Sequence, residues 1–257
     1  MANTLNIDEL NINPPYKERS EPYEKYFGIM QLSKRQIRER ILFAEDFEDI
    51  FYEFLMYMVV LNEYGEDFTP AQEQLQERYR DKMFEYLPEN DGDFIRDYAA
   101  IFAANAVETT AKHISKIPEP ISQIREKEAE RLLKRLSPSI STTTLQKTAE
   151  NQPEEAQPDI WYVSLDRAKF NAENEANTVL NRKDFLEAKE AGFSRKRWLT
   201  EMDDRVRPTH QEVEGLTIPI DELFIVGDSL FGYPRDMTYN PSPQEFVSCR
   251  CSVEYLK

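Results

Sequence analysis

Apolar residues recur at helical spacing through the first half of this chain and give way to short β-prone runs near its end. Ser33 followed by Gln36 has the form of a capping box, and after it come Ile37, Ile41, Ala44, Phe47, Phe51, Phe54, Leu55, Met58 and Val59. Their three- and four-residue steps predict one long helix up to Gly65. Thr69-Pro70 supplies an N-cap and a first helical residue for a second helix that stops at Pro88. Asp93 to Ser115 predicts a third helix and Pro120 to Leu136 a more charged fourth. Before all of these, NPPYKERSEPYEKY with its three prolines predicts an extended arm over residues 1–32, which leaves 33–136 as a helical region. Residues 137–159 are Ser/Thr-rich, interrupted by Pro and without apolar period, and read as a linker or surface loop.

The second half of the pattern differs in kind. Asp159 is placed to cap a long helix carrying Trp161, Leu165, Ala168, Ala172, Ala176, Val179 and Leu180, with Gly192 at its C-terminal end. After Gly192, short pieces (RKRWLT, LTIPI, LFIVG, FVSCRCSVEYL) alternate with Pro and Gly turns. The expected fold class is therefore α+β. A mainly helical N-terminal region is followed, over 160–257, by a small domain with one long helix and short antiparallel strands.

Composition narrows the functions. With 40% hydrophobic and 12% aromatic residues the chain can bury a core, and its seven Gly leave no Gly-rich phosphate loop. The net charge of −16 argues against general attraction to DNA, and most of it lies in residues 1–160 (−12) rather than 161–257 (−4). Two Cys and no apolar leader predict a reducing compartment, hence a soluble intracellular product. The most apolar run, Phe51 to Leu61, is shorter than the roughly twenty residues of a membrane span, so no membrane is expected. Its richness in aromatic residues suits either a partner-facing surface or burial in the chain's own core.

Most of the residues with chemical potential fall after Lys196. If FVSCRCSVEYLK is a strand, its alternation puts Cys249 and Cys251 on one face, roughly 6.6 Å apart, too far for an unstrained disulfide. The two thiols then serve as small core residues, or as metal ligands with His210 as third and Asp203 or Asp204 as fourth. A thiol nucleophile with His210 as base is a further reading. Asp203-Asp204-Arg205-Val206-Arg207 reads as an anion or metal site or as an ion-paired turn. Arg195, Lys196 and Arg197 form the one basic run, a candidate DNA contact or a solvated face.

Taken in order, Glu175 in its helix, Gly192, Lys196, Trp198-Leu199-Thr200, Asp204-Arg205-Val206-Arg207, His210, Gly215, Phe224, Pro234 and Cys249-Arg250-Cys251 resemble the phage Mu F-like family of minor head proteins. The resemblance covers roughly residues 160–257. It implies a minor capsid or head morphogenesis protein of a tailed phage or prophage, associated with the portal inside the head and aiding assembly and DNA packaging or delivery. The implied partners are the portal protein and the major capsid or scaffold proteins, with the host cytoplasm as the place of assembly. The family's domain has also been compared with the ADP-ribosyltransferase fold. An effector enzyme of ADP-ribosyltransferase or nuclease type, using Glu175 and His210, is therefore the alternative. Many members have Thr-Glu where this chain has Asn174-Glu175, and Cys-x-x-Cys where it has Arg207-Pro208-Thr209-His210. No cofactor is expected beyond zinc on His210, Cys249 and Cys251.

Overall fold

A computed structural model describes residues 22–117 and 158–257. The expected fourth helix over 120–136 and nearly all of the linker lie outside the described residues, as does the arm up to residue 21. The end of that arm is not extended. Pro22 starts α1 (Tyr23–Gly28), its carbonyl accepting from the N–H groups of Lys25 and Tyr26 at 3.0 and 3.3 Å. A proline without an N–H is compatible with a helix start, and Tyr23 and Phe27 bury themselves to hold the turn in place.

The first long helix, α2 (Lys34–Tyr64), has both predicted ends. Ser33 and Gln36 form the capping box, and Gly65 closes the other end in the left-handed conformation at φ 69°. The next helix, α3 (Thr69–Phe84), begins with Thr69 already inside it, and Asp67 Oδ1 takes the Thr69 N–H at 2.8 Å. A single 3-10 turn over Glu89–Asp91 leads into α4 (Gly92–Ile114).

Phe43, Phe47 and Phe51 lie one turn apart along α2 and are fully buried. Tyr79 of α3 meets the Phe47 ring at 4.6 Å between centroids, and Phe102 of α4 meets it at 5.7 Å. Phe51, Phe54, Leu55, Met58 and Val59 belong to the same core, so the apolar run faces inward rather than towards a partner. Burying each such side chain contributes about 1.5–3 kcal/mol.

A short α5 (Pro158–Trp161) precedes the second long helix, α6 (Leu165–Glu190). Asp159 does not cap it. The chain turns after Trp161, and Ser164 takes the Arg167 N–H at 3.3 Å, while Asp159 Oδ1 lies 2.6 Å from His113 Nδ1. Gly192 at φ 72° follows the helix as expected, with Phe193 N bonded back to Ala188 O. Small residues Ala168, Ala172 and Ala176 let α6 lie close against the helical core, and its most extensive packing is on α2. Arg40, fully buried on α2, fastens the pair through Asn177, Asn181 and Asp184 at 3.2, 2.7 and 3.1 Å.

The opposite side of α6 carries the C-terminal layer. There β1 (Arg195–Leu199) lies between β2 (Thr217–Pro219) and β5 (Ser252–Leu256), antiparallel to both, with Arg197 opposite Thr217 and Glu254. A hairpin of β3 (Phe224–Val226) and β4 (Ser229–Phe231) turns at Gly227, φ 56°. Two one-turn helices, α7 (Pro208–Gln211) and α8 (Pro243–Phe246), flank the sheet. Trp198, Phe224, Val226, Phe231, Phe246, Cys249 and Cys251 form the second core.

The last strand is shorter than its alternation suggests. Ser248 takes a left-handed φ of 56°, and Cys249 N bonds back to Phe246 O at 3.1 Å, so the chain leaves α8 through a turn at residues 247–248, residues 249–251 are irregular, and β5 starts at Ser252. The fold class is the expected α+β. Among the described residues no helix is long and apolar enough to cross a membrane.

Candidate functional site

Glu175 and His210, the pair required by an enzymatic reading, lie in separate networks. Glu175 faces the helical core and is 4% exposed. Its Oε2 accepts from Tyr79 at 2.6 Å and Tyr98 at 2.9 Å, and its Oε1 lies 3.7 Å from the Arg235 guanidinium. Burial pushes the carboxyl above its usual range, against the pull of Arg235 and the two phenols. Arg235 also bonds Thr178 Oγ1 at 2.8 Å, Asn174 Oδ1 at 2.6 Å and Phe246 O at 2.6 Å. Asn174 Oδ1 takes the Ser248 N–H as well, at 2.9 Å. One polar chain thus runs from α3 and α4 through α6 into the segment before β5, and the Asn174-Glu175 pair is part of its fabric.

His210 sits on α7 and is 1% exposed. Its Nδ1 faces Cys251 Sγ at 3.3 Å and Cys249 Sγ at 3.7 Å, and its Nε2 lies 3.1 Å from Glu245 Oε2. Thr209 donates to the same Glu245 oxygen at 2.8 Å. Cys249 and Cys251 are 2% and 4% exposed and are free thiols. The hydrogen bond from Cys251 pulls the Cys249 thiol down in pKa against its burial, with His210 adding to the effect. The same bond and burial push Cys251 up. Burial opposes the charge on His210, but Cys249 outweighs it, and the imidazole titrates above its ordinary value. The grouping expected from sequence is therefore present, although the thiols lie in the irregular segment between the 247–248 turn and β5 and not on a strand face. Chemically it can hold a soft cation or a thiolate–imidazolium pair.

The loop from Thr200 to Gly215 is stapled at both ends. Gly215, at φ 72°, donates to Trp198 O at 2.9 Å, and the buried Trp198 ring meets the His210 ring edge-on at 5.8 Å. Arg207 donates to Val247 O. Asp203 receives Arg250 on both oxygens at 2.8 Å and caps its own turn by taking the Arg205 N–H at 3.1 Å. Neither Asp203 nor Asp204 joins His210 and the thiols, and Asp204 and Arg205 are exposed. The fourth-ligand expectation on those aspartates fails because Arg250 takes up Asp203.

Arg195, Lys196 and Arg197 do not make one patch, because strand alternation divides them. Arg195 is exposed, and Arg197 pairs with Glu254 at 2.9 Å. Lys196 is 0% exposed, donates to Gly232 O at 2.6 Å and lies 5.2 Å from the ring centres of Phe185 and Phe224. Burial lowers its pKa to about 8, opposed by the Asp236 and Asp221 carboxylates. It has no surface to offer a phosphate.

Arg235 and Glu245 had no signal in the sequence pattern, whereas Glu201 stands near the motif as one of the acids an enzyme could use. Arg235 sits in an irregular segment at a left-handed φ of 66°, and a single carboxylate such as Glu245 looks like any other in a chain rich in them. Glu201, just after β1, has neither carboxylate oxygen hydrogen-bonded although both are buried. Burial raises its pKa to about 7, with the Arg250 charge partly offsetting that.

A two-layer α+β protein whose motif residues are spent on closing its own small domain is the class that emerges. The sequence model described as Phage Mu protein F like protein matches residues 99–254, more than half of the chain, and the chain belongs to that family. Its role is in phage head morphogenesis. A curated relative, the NAD(+)–arginine ADP-ribosyltransferase EFV of Enterococcus faecalis, is 34% identical over 83 residues. That stretch is 30% of this chain and 15% of that protein's length, so the chain spans a small part of the relative it matches. No solved structure matches the chain.

Proposed function

We propose that this chain is a minor head protein of a tailed phage or prophage, positioned inside the capsid at the portal, where it aids assembly and DNA packaging or delivery through protein contacts. One observation carries the non-catalytic part of this reading: Glu175 and His210 are buried and held in separate networks. A transferase or hydrolase needs such groups in one cleft that a substrate can enter. Here Glu175 ties the helical layer to Arg235, and His210 is enclosed by Trp198, Glu245 and two thiols. The net charge of −16 supports protein partners over the packaged DNA as the main contact, since phosphate binding draws on Lys and Arg.

The full chain, co-expressed with the portal, scaffold and major capsid proteins of its own phage, is expected to sediment with procapsids and to cross-link to the portal. Assembled heads that exclude the chain, or that contain it with cross-links only to the major capsid protein, overturn the portal assignment. The enzymatic alternative draws on the name of the Enterococcus faecalis relative. It predicts NAD-dependent labelling of an arginine-containing target that Glu175→Gln abolishes while the far-UV spectrum stays unchanged. Labelling by the wild-type chain with that outcome would replace the structural reading.

A further inference from the structure

The head-assembly reading makes no use of the enclosed group formed by His210, Cys249 and Cys251. These three offer ligand atoms that all lie within 4.8 Å of one another. Zinc bonds of about 2.3 Å to sulfur and 2.0–2.1 Å to nitrogen, set at tetrahedral angles, put nitrogen and sulfur about 3.6 Å apart. The observed separations from His210 Nδ1, 3.3 and 3.7 Å, bracket that spacing.

The surroundings also suit a metal. Glu245 sits at the other ring nitrogen, 3.1 Å from Nε2, and is itself held by Thr209. That is the carboxylate–histidine arrangement that fixes the tautomer of a ligating imidazole. The buried indole N–H of Trp198, whose ring packs edge-on against His210, has no hydrogen-bond partner. Glu201, two residues beyond β1, lies outside that group of three, and it is the one carboxylate among the described residues with both oxygens buried and neither in a hydrogen bond of normal geometry.

We propose that His210 Nδ1, Cys249 and Cys251 bind a structural zinc ion, with Glu201 turning in as the fourth ligand. Two thiolates, an imidazole and a carboxylate form a donor set for zinc rather than for calcium or magnesium, which prefer oxygen alone. His210 and Cys251 are 41 residues apart in the chain. The ion would therefore fasten the loop after β1 to the irregular segment before β5, as a cross-link in a compartment that does not sustain disulfides.

The test uses the full chain without a histidine tag, purified reduced from zinc-supplemented medium. About one zinc per chain is expected, with a lower melting temperature after a strong chelator and recovery on adding zinc alone. Cobalt(II) added to the stripped protein should give the ligand-field bands of a tetrahedral site and a thiolate-to-cobalt charge-transfer band. Cys251→Ser and His210→Asn should lose that band. If those variants do not fold, the wild-type zinc content, chelator shift and cobalt spectrum still decide the matter. Substoichiometric zinc together with no charge-transfer band overturns the site. Full zinc content and an unchanged cobalt spectrum in Glu201→Gln overturn Glu201 as fourth ligand and leave the other three.

Discussion

Replacing Arg235 by Met tests whether the polar chain around Glu175 holds the two layers together. The guanidinium lies 3.7 Å from Glu175 Oε1, with both side chains almost fully buried. At an effective dielectric of about 20 that separation corresponds to about 4 kcal/mol of attraction. Met would also strip a donor from Thr178, Asn174 and Phe246 O, all within 2.8 Å of the guanidinium nitrogens. Removing one partner of a buried pair leaves the other charge uncompensated, and the expected loss is about 3–5 kcal/mol. A long side chain held at φ 66° fits this picture, since a non-glycine residue keeps such a backbone only where its surroundings determine it. Urea unfolding followed by far-UV circular dichroism and tryptophan fluorescence gives the measurement. Adding Glu175→Gln to the Arg235→Met background removes the stranded carboxylate and should recover about 1–2 kcal/mol. A loss under about 1 kcal/mol for Arg235→Met, or additivity of the two changes within about 0.5 kcal/mol, would refute the reasoning.

Phe47→Ala empties the centre of the ring cluster formed with Phe43, Phe51, Tyr79 and Phe102, and should cost about 3–5 kcal/mol by the same unfolding assay. Gly227→Ala must place a Cβ at φ 56° and 2.7 Å from Glu245 Oε1, which displaces the carboxylate that holds His210. A loss of about 1–3 kcal/mol is expected, read as a drop of several degrees in melting temperature, and an unchanged melt would show that the turn is not constrained. Lys196 sets a pH dependence. Its folded pKa of about 8 lies below the ordinary 10.5, so between those values the unfolded chain binds more protons and stability rises with pH. The rise amounts to at most about 3 kcal/mol, and Lys196→Met should lack it; equal pH slopes for wild type and variant between pH 8 and 10 would count against a buried charge at this position.

Much of the architecture was legible because it is written in local chemistry. The Ser33/Gln36 capping box, Gly65 and Gly192 at helix ends, and the aromatic steps along α2 depend on neighbours a few residues away, and the structure has all of them. The α+β class followed from the same kind of signal, a change of period after Gly192. The sequence also singled out His210, Cys249 and Cys251 as a potential group, and they do meet.

Where the local signals were overridden, long-range partners did it. Asp159 could have capped α6 but is taken by His113, and Pro22 begins a helix because Tyr23 and Phe27 find a core to enter. The basic triplet dissolved into one exposed residue, one ion pair and one buried lysine because pairing with β2 and β5 fixed which way each side chain points. Glu175, a nominal catalytic acid, became the centre of a polar link among α3, α4 and Arg235, residues 77 to 96 positions away on one side and 60 on the other. By itself the sequence determined the long helices, the caps at Ser33, Gly65 and Gly192, and the family to which the chain belongs, since those rest on short-range pattern and motif order. Only the tertiary structure decided which charged residues are surface, which are fabric and which enclose a site, because burial and partner choice depend on segments that meet only once the chain has folded.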